Sequence, residues 1–150
     1  MTLRVLALSL SFIALVPCAG HASGLIDFEP VLFELNQSSV TARLNSSQIS
    51  SLEEILAILK RHPDLRVDIA GDADISEGAD SECQAISEHR AELVYDWLAA
   101  HGSASQLKSH KGFGNKRPID FTDTEEQRRR NRRVEVTVDY EWLDRKPDRT

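Results

Sequence analysis

Residues 65–70 read Leu65-Arg66-Val67-Asp68-Ile69-Ala70, and residues 134–141 read Val134-Glu135-Val136-Thr137-Val138-Asp139-Tyr140-Glu141. Both alternate apolar with polar side chains at period two, as a strand does when one face is buried and the other wetted. A doubly wound parallel sheet would need strands apolar on both faces, and these are not. Between and before them lie two stretches of helical period. Ile49, Leu52, Leu56 and Leu59 form one stripe, widened by Ile55 and Ile58. Asn45 with Gln48 has capping-box spacing at its start, and His62-Pro63 ends it. Ile86, Leu93, Val94, Trp97 and Leu98 form the second stripe, with Ser81 and Gln84 as the expected cap and Gly102 just past the end. A first strand is expected within Ile26 to Glu34 and a short third one within Leu107 to Lys111. One-sided strands and one-sided helices predict an α+β fold, a two-layer β/α sandwich with helices on one face of the sheet and water on the other.

The chain has 150 residues, 41% of them hydrophobic, which suits one domain with a single core. Its net charge of −6 argues against a general nucleic-acid binder and gives no attraction to anionic lipid headgroups. The dense run Arg128, Arg129, Arg130, Arg132 and Arg133 reads as a solvated helix end entering a strand, balanced by Asp123, Glu125 and Glu126.

Residues 1–22 read as a signal peptide. Arg4 supplies the positive start, Val5 to Val16 is apolar except for Ser9 and Ser11, and Gly20-His21-Ala22 offers a small-residue cleavage site. The other reading is an N-terminal anchor helix, for which the apolar run is short. Leu15-Val16-Pro17-Cys18 partly resembles the lipobox of bacterial lipoproteins, but Pro17 stands where that box takes Gly, Ala or Ser. Cleavage after Ala22 and a soluble form are therefore expected. Lipidation of Cys18, which alone would attach the chain to a membrane, is the alternative. The expected division is 1–22 signal peptide, 23–30 lead-in, 31–140 domain and 141–150 polar tail.

Arg90 is the residue that fits least well in a bland fold. It lies four positions after Ile86 and four before Val94, so it shares the apolar stripe of the second helix. A guanidinium there must snorkel outward or find an anion. Asp74, in the acidic loop Gly71 to Asp80, is the credible neighbour. The two form either a structural ion pair or a clamp, the guanidinium fork taking a ligand carboxylate and the carboxylate an ammonium. No catalytic set is visible. Asp72 and Asp74 lack the opposed geometry of a glycosidase pair, and no serine or cysteine sits in a nucleophile elbow. His62, His89, His101 and His110 have no metal-ligand spacing, and Gly112-x-Gly114 lacks the third glycine of a dinucleotide loop. No cofactor and no metal are expected.

Five pieces in order carry a resemblance: Phe33-Glu34-Leu35-Asn36, Gly71-Asp72-Ala73-Asp74, Ile86-Ser87-Glu88-His89-Arg90-Ala91, Gly112-Phe113-Gly114 with Pro118-Ile119, and Arg128 with Asn131-Arg132-Arg133-Val134-Glu135. Together they resemble the OmpA-like peptidoglycan-binding domain. The resemblance implies a βαβαβ-type sandwich with a small mixed sheet, in the periplasm or attached to the outer membrane. It also implies non-covalent binding of the diaminopimelate of the peptidoglycan stem peptide, without catalysis. Asp74 would hold the ligand's ammonium and Arg90 its carboxylate, with Glu34 and Asn36 at first-turn pocket positions and Arg128 near the site. Cys83 falls where the family places a pocket asparagine, and it reads either as a reactive thiol at a helix start or as a packing residue. Asp72 and Ala73 replace the family's His and Thr, and the loop from Asp74 to Arg90 is one residue longer. A competing reading is an assembly module that keeps the fold, binds other envelope proteins and has lost the ligand.

Overall fold

The structure is a computed structural model that describes residues 26–35, 37, 43–121 and 123–141. The expected signal peptide, Cys18, Asn36 and nearly all of the C-terminal tail lie outside the described residues. In chain order the elements are β1 (Val31–Leu32), α1 (Ser46–Arg61), β2 (Val67–Gly71), α2 (Asp80–Leu98), β3 (Leu107–Gly112), α3 (Glu125–Asn131) and β4 (Arg133–Val138). The sheet order is β1-β4-β2-β3, with β2 and β3 parallel and β4 antiparallel to both its neighbours. The sheet is mixed. Val67, Ile69, Val134 and Val136 enter a core shared with Leu52, Ile55, Leu56 and Leu59 of α1 and Ala91, Val94 and Leu98 of α2. The α+β two-layer sandwich read from the two alternating strands is the observed fold.

The capping box of α1 forms as its spacing implies. Asn45 accepts from the Gln48 amide at 2.9 Å, and Gln48 Oε1 accepts from the Asn45 amide at 2.9 Å. Gln48 also donates through Nε2 to the Leu32 carbonyl at 2.9 Å, tying the start of α1 to β1. The first strand is much shorter than the apolar run suggests, because Pro30 has no amide hydrogen to offer a ladder and pairing begins at Val31. Phe28 is nevertheless buried in the core, so the segment before β1 packs without pairing.

Helix α2 differs from expectation in its start and its phase. It begins at Asp80, and Glu82 caps it by accepting from the Ala79 amide at 2.7 Å, while Gln84 instead donates to the Gly112 carbonyl at 2.9 Å. The face turned inward is Cys83, Ser87, Arg90, Ala91, Val94 and Leu98, leaving Ile86, Leu93 and Trp97 half-buried. Backbone contact sets that phase. A Cβ added at Gly71 would lie 2.0 Å from the Ser87 carbonyl oxygen, and one at Gly112 would lie 2.4 Å from the Glu88 nitrogen. Small residues must therefore face the ends of β2 and β3. Gly71→Ala is expected to force α2 off the sheet and cost about 1–3 kcal/mol, as overpacking does. Urea unfolding monitored by circular dichroism checks this, and an unchanged midpoint would contradict the tight crossing.

Candidate functional site

The loop that leaves β2 is buried where a loop is usually wet. Asp72, Ala73 and Asp74 are all below 4% exposed. Asp74 opens a 3₁₀ turn (Ile75–Glu77) and caps it, accepting through Oδ1 from the Ser76 amide at 2.9 Å and the Ser76 hydroxyl at 2.5 Å. Its Oδ2 accepts from Asn131 Nδ2, the last residue of α3, at 3.0 Å. Asn131 is itself fixed, since its Oδ1 accepts from the amides of Ile119 and Asp120 at 3.0 and 3.1 Å. Burial alone would push the Asp74 carboxyl up. Hydrogen bonds from Ser76 and Asn131 and the charge of Arg132 outweigh it, and the carboxyl sits below the usual aspartate value.

Beside Asp74 lies an open cavity of about 230 Å³, with Asn115, Asp120, Asp123, Arg128 and Asn131 among its polar walls. Ile75 and Phe121 form an apolar rim, 75% and 87% exposed. Arg128 is ion-paired with Asp123 across the mouth. A second cavity, of about 350 Å³, lies between the segment around Phe28 and β4 and contains none of the expected site residues.

Arg90 does not line the cavity beside Asp74. It is fully buried, and its terminal nitrogens donate to Glu77 at 2.7 and 2.5 Å, with a further bond to the Asp72 carbonyl at 3.2 Å. Its guanidinium carbon lies 5.2 Å from the centre of the Phe33 ring. The anion that Arg90 requires is therefore Glu77, whose side chain is 2% exposed. The same carboxylate accepts from the Asp74 amide at 3.0 Å. Arg90 thus acts on Asp74 from behind, by fixing the turn that presents it.

Cys83 is also behind the loop. It is fully buried, and its thiol lies 3.5 Å from the Asp74 carbonyl and 3.4 Å from that of Gly78. Burial, and then the charges of Glu77, Asp80, Asp74 and Glu82, push the thiol up. Burial, with the surrounding acids after it, outweighs the effect that a helix N-terminus usually has on a thiol. The packing reading of Cys83 fits this surrounding. In the folded chain Cys83 is expected to resist an aromatic disulfide reagent that modifies it fully in denaturant. Stoichiometric labelling of native protein within minutes would contradict that burial.

Of the other expected residues, Arg128 is on the cavity wall. Glu34 is exposed and ion-pairs with Arg129 at 2.9 Å. Asp72 points to a different partner: Arg117 holds it with two bonds, 3.0 and 2.7 Å, while stacking 3.9 Å over the Phe113 ring. Burial raises the Asp72 carboxyl, and Arg117 and Arg133 recover only part of that shift. Sequence reasoning missed Glu77 and Asn131 as site residues. Asn131 stands in the motif from Arg128 to Glu135, and Glu77 lies in the loop between Asp74 and Arg90, so each had a signal. Phe121 had none.

Residues 35–132 match the OmpA family. The chain is 33% identical over 124 residues to the peptidoglycan-binding protein ArfA of Mycobacterium tuberculosis, a match covering 81% of this chain and 36% of that protein. It is 34% identical over 92 residues to the peptidoglycan-associated lipoprotein of Legionella pneumophila, covering 61% and 52%. The chain thus spans about a third to a half of the length of these relatives. In fold it is similar to the C-terminal domain of Helicobacter pylori MotB, with a TM-score of 0.64 at 24% identity over 80% of this chain and 99% of that one. With the mixed four-stranded sheet, the five ordered motifs and the family match in agreement, this chain belongs to the OmpA family.

Proposed function

We propose that this chain is a non-enzymatic protein of the cell envelope that binds peptidoglycan, taking the diaminopimelate of the stem peptide in the cavity beside Asp74. The observation that carries this reading is Asp74 itself. It is an ionised carboxylate held in one orientation by Ser76 and Asn131, at the wall of a cavity sized for an amino-acid side chain. A carboxylate fixed in that way suits a ligand ammonium. Arg128 is the guanidinium within reach of the same ligand. Arg90 holds the Asp74 turn through Glu77, and the Asp/Arg clamp in which it takes a ligand carboxylate forms only where Glu77 yields its place. Cys83 supports the loop from below. Glu34 and Asn36 are proposed as first-turn pocket residues on the family motif alone, and Glu34 is tied to α3 by its ion pair with Arg129. In location the proposal is the periplasm, with attachment to the outer membrane if Cys18 is lipidated.

A second reading has its own observation. The rim residues Ile75 and Phe121, with Ile119 at 54% exposure, form an apolar edge that would suit another envelope protein. Co-sedimentation of the purified chain with diaminopimelate-type sacculi separates the two. Pelleting with sacculi, saturable and competed by soluble stem peptide, is expected. A chain that stays in the supernatant at every concentration would favour the interaction module, and release of soluble muropeptides would overturn the non-enzymatic reading.

A further inference from the structure

Glu77, in the loop between Asp74 and Arg90, changes what the cavity can recognise. A guanidinium offers a ligand carboxylate two parallel bonds from its terminal nitrogens. In this chain both terminal nitrogens of Arg90 are already held by Glu77, in a pair whose side chains are 0% and 2% exposed. The third nitrogen, Nε, is buried against protein, and Arg90 is not on the cavity wall. Glu77 is therefore an internal stand-in for a ligand carboxylate. The cavity that remains is acidic. Asp74, Asp120 and Asp123 line it against the single guanidinium of Arg128, which Asp123 already pairs, while Arg130 reaches Asp120 from outside at 4.0 Å.

We propose that Glu77 sets ligand choice: this site selects an ammonium-bearing stem-peptide residue whose neighbouring carboxyl is an amide, in preference to the free acid. The inference rests on the peptidoglycan reading above and deepens it. An added ligand carboxylate would face three lining acids with only Arg128, already shared with Asp123, to receive it, which weakens its charge-assisted contact and adds repulsion. A carboxamide keeps the ammonium for Asp74 and can donate to those same acids.

Two synthetic stem peptides that differ only in this group, diaminopimelate free acid against its amide, test the idea by titration calorimetry on the purified chain. The amidated peptide is expected to bind about tenfold more tightly, on the scale of one charge-assisted hydrogen bond. In Glu77→Gln, where the carboxylate charge facing Arg90 is gone, that preference is expected to shrink or reverse. Equal or tighter binding of the free acid by the unaltered chain would overturn the inference and leave peptidoglycan binding standing. An unchanged ratio in a folded Glu77→Gln would also overturn the role of Glu77. Binding of neither peptide would overturn the peptidoglycan reading and this inference with it. The ratio in the unaltered chain decides the matter by itself if the variant does not fold.

Discussion

Replacing Arg90 by alanine is expected to lower the stability of the domain by about 3–5 kcal/mol, the cost of breaking a buried ion pair by removing one partner. The physical reason is what remains. Glu77 would keep its carboxylate at 2% exposure with its guanidinium partner gone, and the Asp72 carbonyl would lose the bond it receives at 3.2 Å. A void beside Phe33, over which the guanidinium packs at 5.2 Å, would add to the loss. Replacing both partners with apolar residues of similar size, Arg90→Met with Glu77→Leu, should recover part of it, since no stranded charge then remains but the Asp74 amide and Asp72 carbonyl lose their partners. Urea unfolding of the single and double variants measures both terms. A single variant within about 1 kcal/mol of the parent would show that water reaches Glu77 and that the pair is not buried in solution. The same reasoning limits what an Arg90 variant can say about binding. Loss of sacculus retention in Arg90→Ala is expected whether or not Arg90 touches ligand, because the turn that presents Asp74 loosens in either case.

This coupling marks where the sequence was informative and where it was not. The alternation in Val67–Gly71 and Arg133–Val138 shows which face is wet, and that is enough to choose a two-layer sandwich. The Asn45–Gln48 box is a local device, so it forms without help from the rest of the fold. The phase of α2 is not local. Ile86, Leu93 and Trp97 are the larger apolar side chains, and a hydrophobic pattern alone turns them inward. The flush contact of Gly71 and Gly112 with the helix backbone near Ser87 admits only small residues, and this rotates the stripe. Arg90 was correctly read as a charge in need of an anion. The choice of anion depended on the 3₁₀ turn, which brings Glu77 back over the Asp74 amide and places it on the guanidinium. In a loop holding Asp72, Asp74, Glu77 and Asp80, sequence spacing cannot say which carboxylate wins. Asp72 was captured by Arg117, forty-five residues away in the chain, a pairing that no local motif announces.

Asp74→Asn is the variant that reports on ligand binding most directly. It is expected to weaken retention on sacculi at least tenfold, the loss of a charge-assisted contact worth about 1.5–3 kcal/mol. The amide would also turn an NH₂ toward either Ser76 or Asn131, so a modest stability loss is expected alongside, and folding must be checked by circular dichroism. The pH dependence gives an independent readout. The folded carboxyl of Asp74 lies below the ordinary value of 3.8, so its contribution is fully present above that value and is lost only as pH falls through the lower folded one. Retention should therefore be flat from about pH 7 to about pH 5 as far as Asp74 is concerned, and should weaken only in stronger acid. Asp72 has the opposite sign. Its folded carboxyl is raised above 3.8, so the folded state holds that proton more tightly, and acidification through this window favours the fold. A fall in retention above about pH 5 in the parent chain would therefore point away from Asp74 as the ammonium contact. The Asn variant removes the Asp74 titration while leaving those of the ligand and of Asp72 in place. If the acid-induced loss of retention is the same in parent and variant, Asp74 is not the group that holds the ligand.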